Sequence, residues 1–291
     1  MLCIPMQPYK EYQELLMNYI RPKTVPLGLC LLRSKAEIPE TSMIISKISK
    51  VTPSICQLVS IARHEEIIIA AIRPYMSCAP GMICVGMIKI PNKNNKVLND
   101  SFSDTDIGDI SKGLYTESTI LGHKLGKKTE IIEGDDFEAI IVAPLELFPI
   151  PPSIILQYAS PSQVLKLIRG YVWKTGEPVT MSCTGRAGLC SGAIAECFNR
   201  DKPVISIPSG ENQLGLAEDN EVIMAIPIRV LSHIISGLKA QEHIKMLKYP
   251  PSPYLANYSQ LNTGLVPIAG KSYERALIKA LIKYKNNESH L

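Results

Sequence analysis

The chain has 291 residues, 46% of them apolar and 20% charged, which is the balance of a folded globule and excludes wholesale disorder. With 31 Lys and Arg against 27 Asp and Glu, the net charge is only +4, and aromatic residues make up 6%. Neither a nucleic-acid surface nor a base-stacking platform is indicated.

The opening MLCIPMQPYKEYQELL has no basic stretch followed by an apolar one, so no secretory leader is expected. The longest apolar stretch, 139–158, is broken by Glu146 and by prolines at 144, 149, 151 and 152, so no membrane helix is expected either. The expectation is a cytoplasmic protein whose eight cysteines are reduced rather than paired in disulfides.

In chain order, 9–20 carries Tyr12, Leu15, Leu16 and Tyr19 at helical spacing. Leu27 to Leu32 reads as a buried strand. Ser54 to His64 reads as a helix, with Thr52 as N-cap and Pro53 at its first position. The β-branched run Ile67 to Ile72 suits a central strand. The polar stretch 91–112 predicts a flexible loop. Strands are then expected at Ala139 to Val142 and Ser153 to Tyr158, and a helix opens at Ser160-Pro161 and runs to about Tyr171. Strands at Val179 to Ser182, Val204 to Ile207 and Val222 to Ile226 alternate with helices at Gly188 to Asn199 and Ile228 to Leu238. A last amphipathic helix is expected at 273–284. The alternation predicts one α/β domain over 1–291 with a mixed sheet and a C-terminal helical appendage at 240–291.

The two halves resemble each other. Gln57 to Arg63 reads like Gln163 to Arg169, with Gln and Arg at the same separation. Downstream, Ser77-Cys78-Ala-Pro-Gly-Met-Ile-Cys84 stands beside Ser182-Cys183-Thr-Gly-Arg-Ala-Gly-Leu-Cys190. This predicts two pseudo-symmetric βαβ-type halves, about 22–90 and 137–240, whose Ser-Cys loops meet at one crevice.

Cys78, Cys84, Cys183 and Cys190 are therefore candidate metal ligands. Their spacing is too wide for a tight zinc knuckle, so an iron–sulfur cluster is favoured over zinc. Cys56 is a spare candidate, while Cys3, Cys30 and Cys197 read as structural. Cys183 is also a candidate nucleophile, because it precedes glycines and a predicted helix start, with Arg186 three residues on to lower its pKa or bind an anion. Free cysteines also pack simply as small buried hydrophobes. The Gly-bearing acidic loop Ser209 to Glu221 offers Asp219 and Glu221 for proton transfer or a hard cation, or is a solvated turn.

Other motifs fail on inspection. Gly264 to Ser272 has five residues between its glycines where a phosphate loop has four, and Pro267 removes a donor. The calcium-like run from Asp104 has Tyr115 in place of the twelfth-position Glu. The five histidines form no ligand spacing.

Several stretches resemble the prokaryotic family called domain of unknown function 169. They are Pro26-Leu-Gly28, Cys56-Gln57…Arg63, Cys78-Ala-Pro-Gly81, Val142-Ala-Pro144-Leu, Gly185-Arg186…Cys190 and Gly215-Leu-Ala-Glu218-Asp219-Asn-Glu221 with Ile226-Pro227. The resemblance covers roughly 10–250. It implies one fold and shared use of Cys78, Gly185, Arg186 and Cys190, and names no reaction. Ser209 and Gln213 stand where members often carry Cys and Arg, so a cluster that such a cysteine ligates elsewhere would be held differently here or not at all.

Three functions stand open. The first is a cytoplasmic cysteine-liganded metal or iron–sulfur protein with a redox or sensing role. Its crevice, with Gly81, Gly185, Arg186, Asp219 and Glu221, would take a small molecule or a redox partner protein. The second is a thiol enzyme using Cys183 and Arg186. The third is a small-molecule binding or assembly protein with structural cysteines. A homo-oligomer is compatible with all three, and neither nucleic acid nor membrane is expected as a partner.

Overall fold

Apolar runs with a two-residue alternation build one sheet that is covered on both faces. The computed structural model describes residues 8–88, 115–134, 136–181 and 183–241. The chain divides into the compact units Met1–Leu238 and Lys239–Leu291, and the whole sheet lies in the first. The loop expected at 91–112, the helix expected at 273–284, Cys3 and the appendage beyond Gln241 lie outside the described residues.

The strands are β1 (Leu27–Leu32), β2 (Met43–Ile44), β3 (Ile69–Ile72), β4 (Ala139–Pro144), β5 (Ile154–Ala159), β6 (Thr180–Met181), β7 (Val204–Ser206) and β8 (Val222–Pro227). They form an eight-stranded mixed sheet in the order β2-β3-β4-β1-β5-β8-β7-β6. The order is a palindrome of roles. Each half runs inward from an edge through a parallel pair (β2 with β3, β6 with β7) and two antiparallel pairings, and β1 and β5 join the halves at the centre. β4 therefore falls in the first half of the sheet, although the sequence likeness grouped Ala139 to Val142 with the second.

The α-helices are α1 (Pro8–Ile20), α2 (Ile45–Ile48), α3 (Ile55–His64), α4 (Ala79–Cys84), α5 (Thr119–Gly126), α6 (Pro161–Thr175), α7 (Glu196–Arg200), α8 (Glu211–Leu214) and α9 (Ile228–Gln241). Alternate strand residues separate two layers. Leu27, Leu29, Ile140, Val142, Leu156 and Ala225 pack on α3 and the segment before α7, whereas Ile155, Met224 and Ile226 pack on α1, α6 and α9. Full burial of each such side chain contributes about 1.5–3 kcal/mol.

Two helix starts share one device. Ser54 and Ser160 each stand at a helix N-cap, and the Gln57 and Gln163 side chains each accept the cap N–H, at 2.9 and 2.8 Å. The N-cap of α3 is thus Ser54, not Thr52, because only Ser54 places its hydroxyl on the Gln57 N–H. The same device explains the Gln likeness between the halves. Topology, however, equates α3 with a different segment, Gly188–Ala195, since each connects a parallel strand pair. That segment was expected to be α-helical. It is instead a π-helix that starts after left-handed Ala187 (φ +50°) and becomes α-helical only at Glu196.

Candidate functional site

α3 and the π-helix each carry a cysteine in their first turn. Cys56 follows Ile55 at the start of α3, and Cys190 is the third residue of the π-helix. The two thiols are neighbours, and the effect of Cys56 on Cys190, with burial next, drives the Cys190 pKa well above its ordinary value. Cys84 and Cys78 are close enough to raise it further.

Two glycines make room for these sulfurs. A Cβ on Gly81 would lie 3.2 Å from Cys190 Sγ and 3.4 Å from Cys78 Sγ. A Cβ on Gly210 would lie 2.6 Å from Cys56 Sγ. Cys78 caps α4 in the left-handed region (φ +68°), an uncommon position for a residue with a side chain. Its loop is pinned to the start of α3 by Ser77 N–H donating to Pro53 O at 3.0 Å. Burial raises the Cys78 pKa, and the Gly81 N–H works against that shift. Burial, with Cys78 next, pushes Cys84 up to about 12, while Arg186 opposes it.

Cys78 and Cys190 thus lie against Gly81 and Cys56 against Gly210, with Cys84 near Cys78. Cys183 is placed differently. It is exposed, two residues past β6, and lines a cleft of ≈ 320 Å³ at the carboxyl ends of β6 and β7. The cleft also holds Gly185, Arg186, Ser191, Ser206 and Ser209. Ser209 Oγ accepts the Gly188 N–H at 3.1 Å. Arg186 links cleft and thiols. It donates to Thr129 Oγ1 at 3.3 Å, burial lowers its pKa, and the nearby Cys84 raises it.

The acidic loop is divided. Asp219 is exposed. Glu221 is buried in an ion pair with Arg63, and its Oε2 accepts the Glu218 N–H at 3.0 Å. The Arg63 guanidinium also lies 4.2 Å over the Tyr158 ring and donates to Thr24 Oγ1 at 2.6 Å. Glu211 is the acid beside the thiols. Its Oε1 accepts the Tyr158 hydroxyl at 2.6 Å, its Oε2 is buried without a partner among the described residues, and Cys56 is near enough to lower its pKa. Burial pushes its carboxyl up to about 7, against the Tyr158 and Arg63 contributions. The sequence signal for Glu211 is its place after Ser209-Gly210, directly beyond a strand. Cys30 and Cys197 are buried, with Cys30 against Ser153 and Pro151.

Among the described residues no three His, Cys, Asp or Glu side chains already stand in metal-binding positions, and no helix is long and apolar enough to cross a membrane. No curated protein and no solved structure matches the chain. One family model, described as DUF169, Uncharacterised ArCR, matches residues 15–237, and with that match over most of its length the chain belongs to the domain of unknown function 169 family.

Proposed function

We propose that this is a cytoplasmic metal-binding protein with a redox or sensing role, whose ligands are Cys56, Cys78, Cys84 and Cys190. The observation that supports this reading is the gathering of four thiols from three elements, Cys78 and Cys190 against Gly81, Cys56 against Gly210, and Cys84 near Cys78 and Cys190. Cys56 takes the place that spacing alone assigned to Cys183.

The donor set is soft, which suits an iron–sulfur cluster first and zinc second. Loading must rotate the thiols into position and expel their protons, so it strengthens as pH rises. A cluster held by four cysteines has no open coordination position, which favours electron transfer or sensing over direct catalysis. The adjoining cleft is where a small molecule or a redox partner would meet the centre.

Strictly anaerobic purification, followed by an absorption spectrum and iron and sulfide analysis, tests the reading. A broad band near 400 nm with about four irons per chain is expected for a cubane cluster. Cys56→Ala and Cys190→Ala should each lose the metal, and Cys183→Ala should keep it. A chain still free of iron and zinc after anaerobic reconstitution overturns the proposal.

One observation favours a second reading. Cys183 is exposed in the cleft that holds Arg186, as a nucleophile requires. A thiol enzyme predicts that Cys183 reacts with iodoacetamide at least tenfold faster than a free thiol at the same pH, and a rate no faster than that overturns it.

A further inference from the structure

The cleft at the carboxyl ends of β6 and β7 has a chemistry separate from the thiols. Its described lining contains no Asp or Glu, and it contains the guanidinium of Arg186. Ser191 and Ser206 line it at 2% and 1% exposure, and neither hydroxyl has a hydrogen-bond partner among the described residues. With no protein partner among the described residues, these two hydroxyls can donate to a group held in the cleft. The Ser209 hydroxyl, already accepting from Gly188, keeps its own hydrogen to donate. The cleft also lies at the start of the π-helix, the end that favours an anion.

We propose that this cleft binds the phosphoryl group of a small phosphorylated molecule, held by Arg186 and by the hydroxyls of Ser191, Ser206 and Ser209. These donors come from a turn, a helix, a strand end and the loop after that strand. Such a spread surrounds a tetrahedral group, whereas a planar carboxylate accepts from donors gathered near one plane. The volume of ≈ 320 Å³ is at the small end of the metabolite range. Crevices beyond the carboxyl ends of parallel strands are recurrent ligand positions. The site adjoins the proposed metal centre but does not require the metal.

The test is titration calorimetry with inorganic phosphate at constant ionic strength, with sodium acetate and sodium chloride as comparison salts. Metal content is measured on every sample. Saturable phosphate binding is expected, at least tenfold tighter than acetate. Arg186→Gln should weaken it about tenfold or more, and Ser206→Ala by a few-fold, as the loss of donors to a charged group implies. Circular dichroism verifies that both variants fold, and Arg186→Lys, which keeps the charge but not the fork, should fall between wild type and Arg186→Gln. Cys190→Ala should lose metal while still binding phosphate, so failure of one proposal is distinguishable from failure of the other. No saturable binding, acetate binding as tightly as phosphate, or unchanged affinity in Arg186→Gln each overturns the proposal.

Discussion

The two parallel crossovers occupy equivalent places in the sheet but are built differently. In the first half, α3 begins with a full capping box and runs as regular α-helix. In the second, the chain enters through left-handed Gly185 (φ +75°) and Ala187 (φ +50°), and then makes a π-helix with no side-chain cap. The clefts at the corresponding strand ends differ as well. The first carries Lys35, Lys47, Arg73 and Glu138 and no cysteine, while the second carries Arg186, three serines and Cys183. The helix of the first crossover is regular from its cap onward. The helix of the second begins in uncommon backbone geometry, which gathers at binding sites when the surrounding structure holds it in place.

The sharpest way to break the comparison is Gly188→Ala. A Cβ there would stand 1.8 Å from the Ile207 carbonyl oxygen, a backbone atom that cannot rotate away. The expected loss is about 3 kcal/mol or more, read by denaturant unfolding, because the π-helix must lift off β7. Gly81→Ala is its control in the first half. Its nearest neighbours are two thiols at 3.2 and 3.4 Å that can give way, so the loss should stay under about 1.5 kcal/mol while metal loading falls. Equal losses in the two variants would remove the distinction between the halves.

Next in size is Arg63→Met. Arg63 and Glu221 are both buried, so removing the cation strands a carboxylate at a cost of about 3–5 kcal/mol. The double variant with Glu221→Leu should recover much of that loss, since apolar replacements of buried pairs are often neutral. A single variant as stable as wild type would show that the pair does not tie α3 to the start of β8.

A pH profile of the metal-free protein isolates Glu211. Its folded carboxyl is raised by burial to about 7 from an ordinary 4.5, so the folded state holds a proton that the unfolded chain has released. Stability is therefore full below about 4.5 and declines as pH rises to about 7, then levels off. Glu211→Gln should flatten that decline in thermal unfolding between those limits. A slope unchanged by the substitution would mean that the carboxyl titrates normally.

These effects show where the sequence was legible. The core strands announced themselves as β-branched apolar runs, since a strand buried on both faces has little else to be. The π-helix did not, because Gly188 to Ala195 is a run of small and apolar residues that says nothing of a five-residue hydrogen-bond step. Cys183 and Cys56 exchanged places for a similar reason. Spacing treats Cys183 as the partner of Cys78, but the turn through Gly185 leaves it at the surface. The true neighbour of Cys190 lies 134 residues earlier, and only the crossover topology joins them. Glu221, read as a free acid, is neutralised by an arginine 158 residues away.

The smallest effect separates likeness of sequence from likeness of position. Ser54 and Ser160 each have their N–H accepted by a Gln three residues on, Gln57 and Gln163. Ser54→Ala should cost about 1 kcal/mol, and Ser160→Ala less, because the Ser160 hydroxyl pairs with Ser162 and not with a backbone N–H. Their consequences should differ. α3 carries Cys56 in the turn that Ser54 holds, so loosening it moves a sulfur away from Cys190 and Glu211. α6 packs on the opposite face of the sheet and carries no cysteine. Timed labelling of thiols with a maleimide should thus show faster modification of Cys56 in Ser54→Ala and no change in Ser160→Ala. Equal labelling in both would mean that the first turn of α3 does not position Cys56, and the thiol cluster would have to be held from the π-helix side alone.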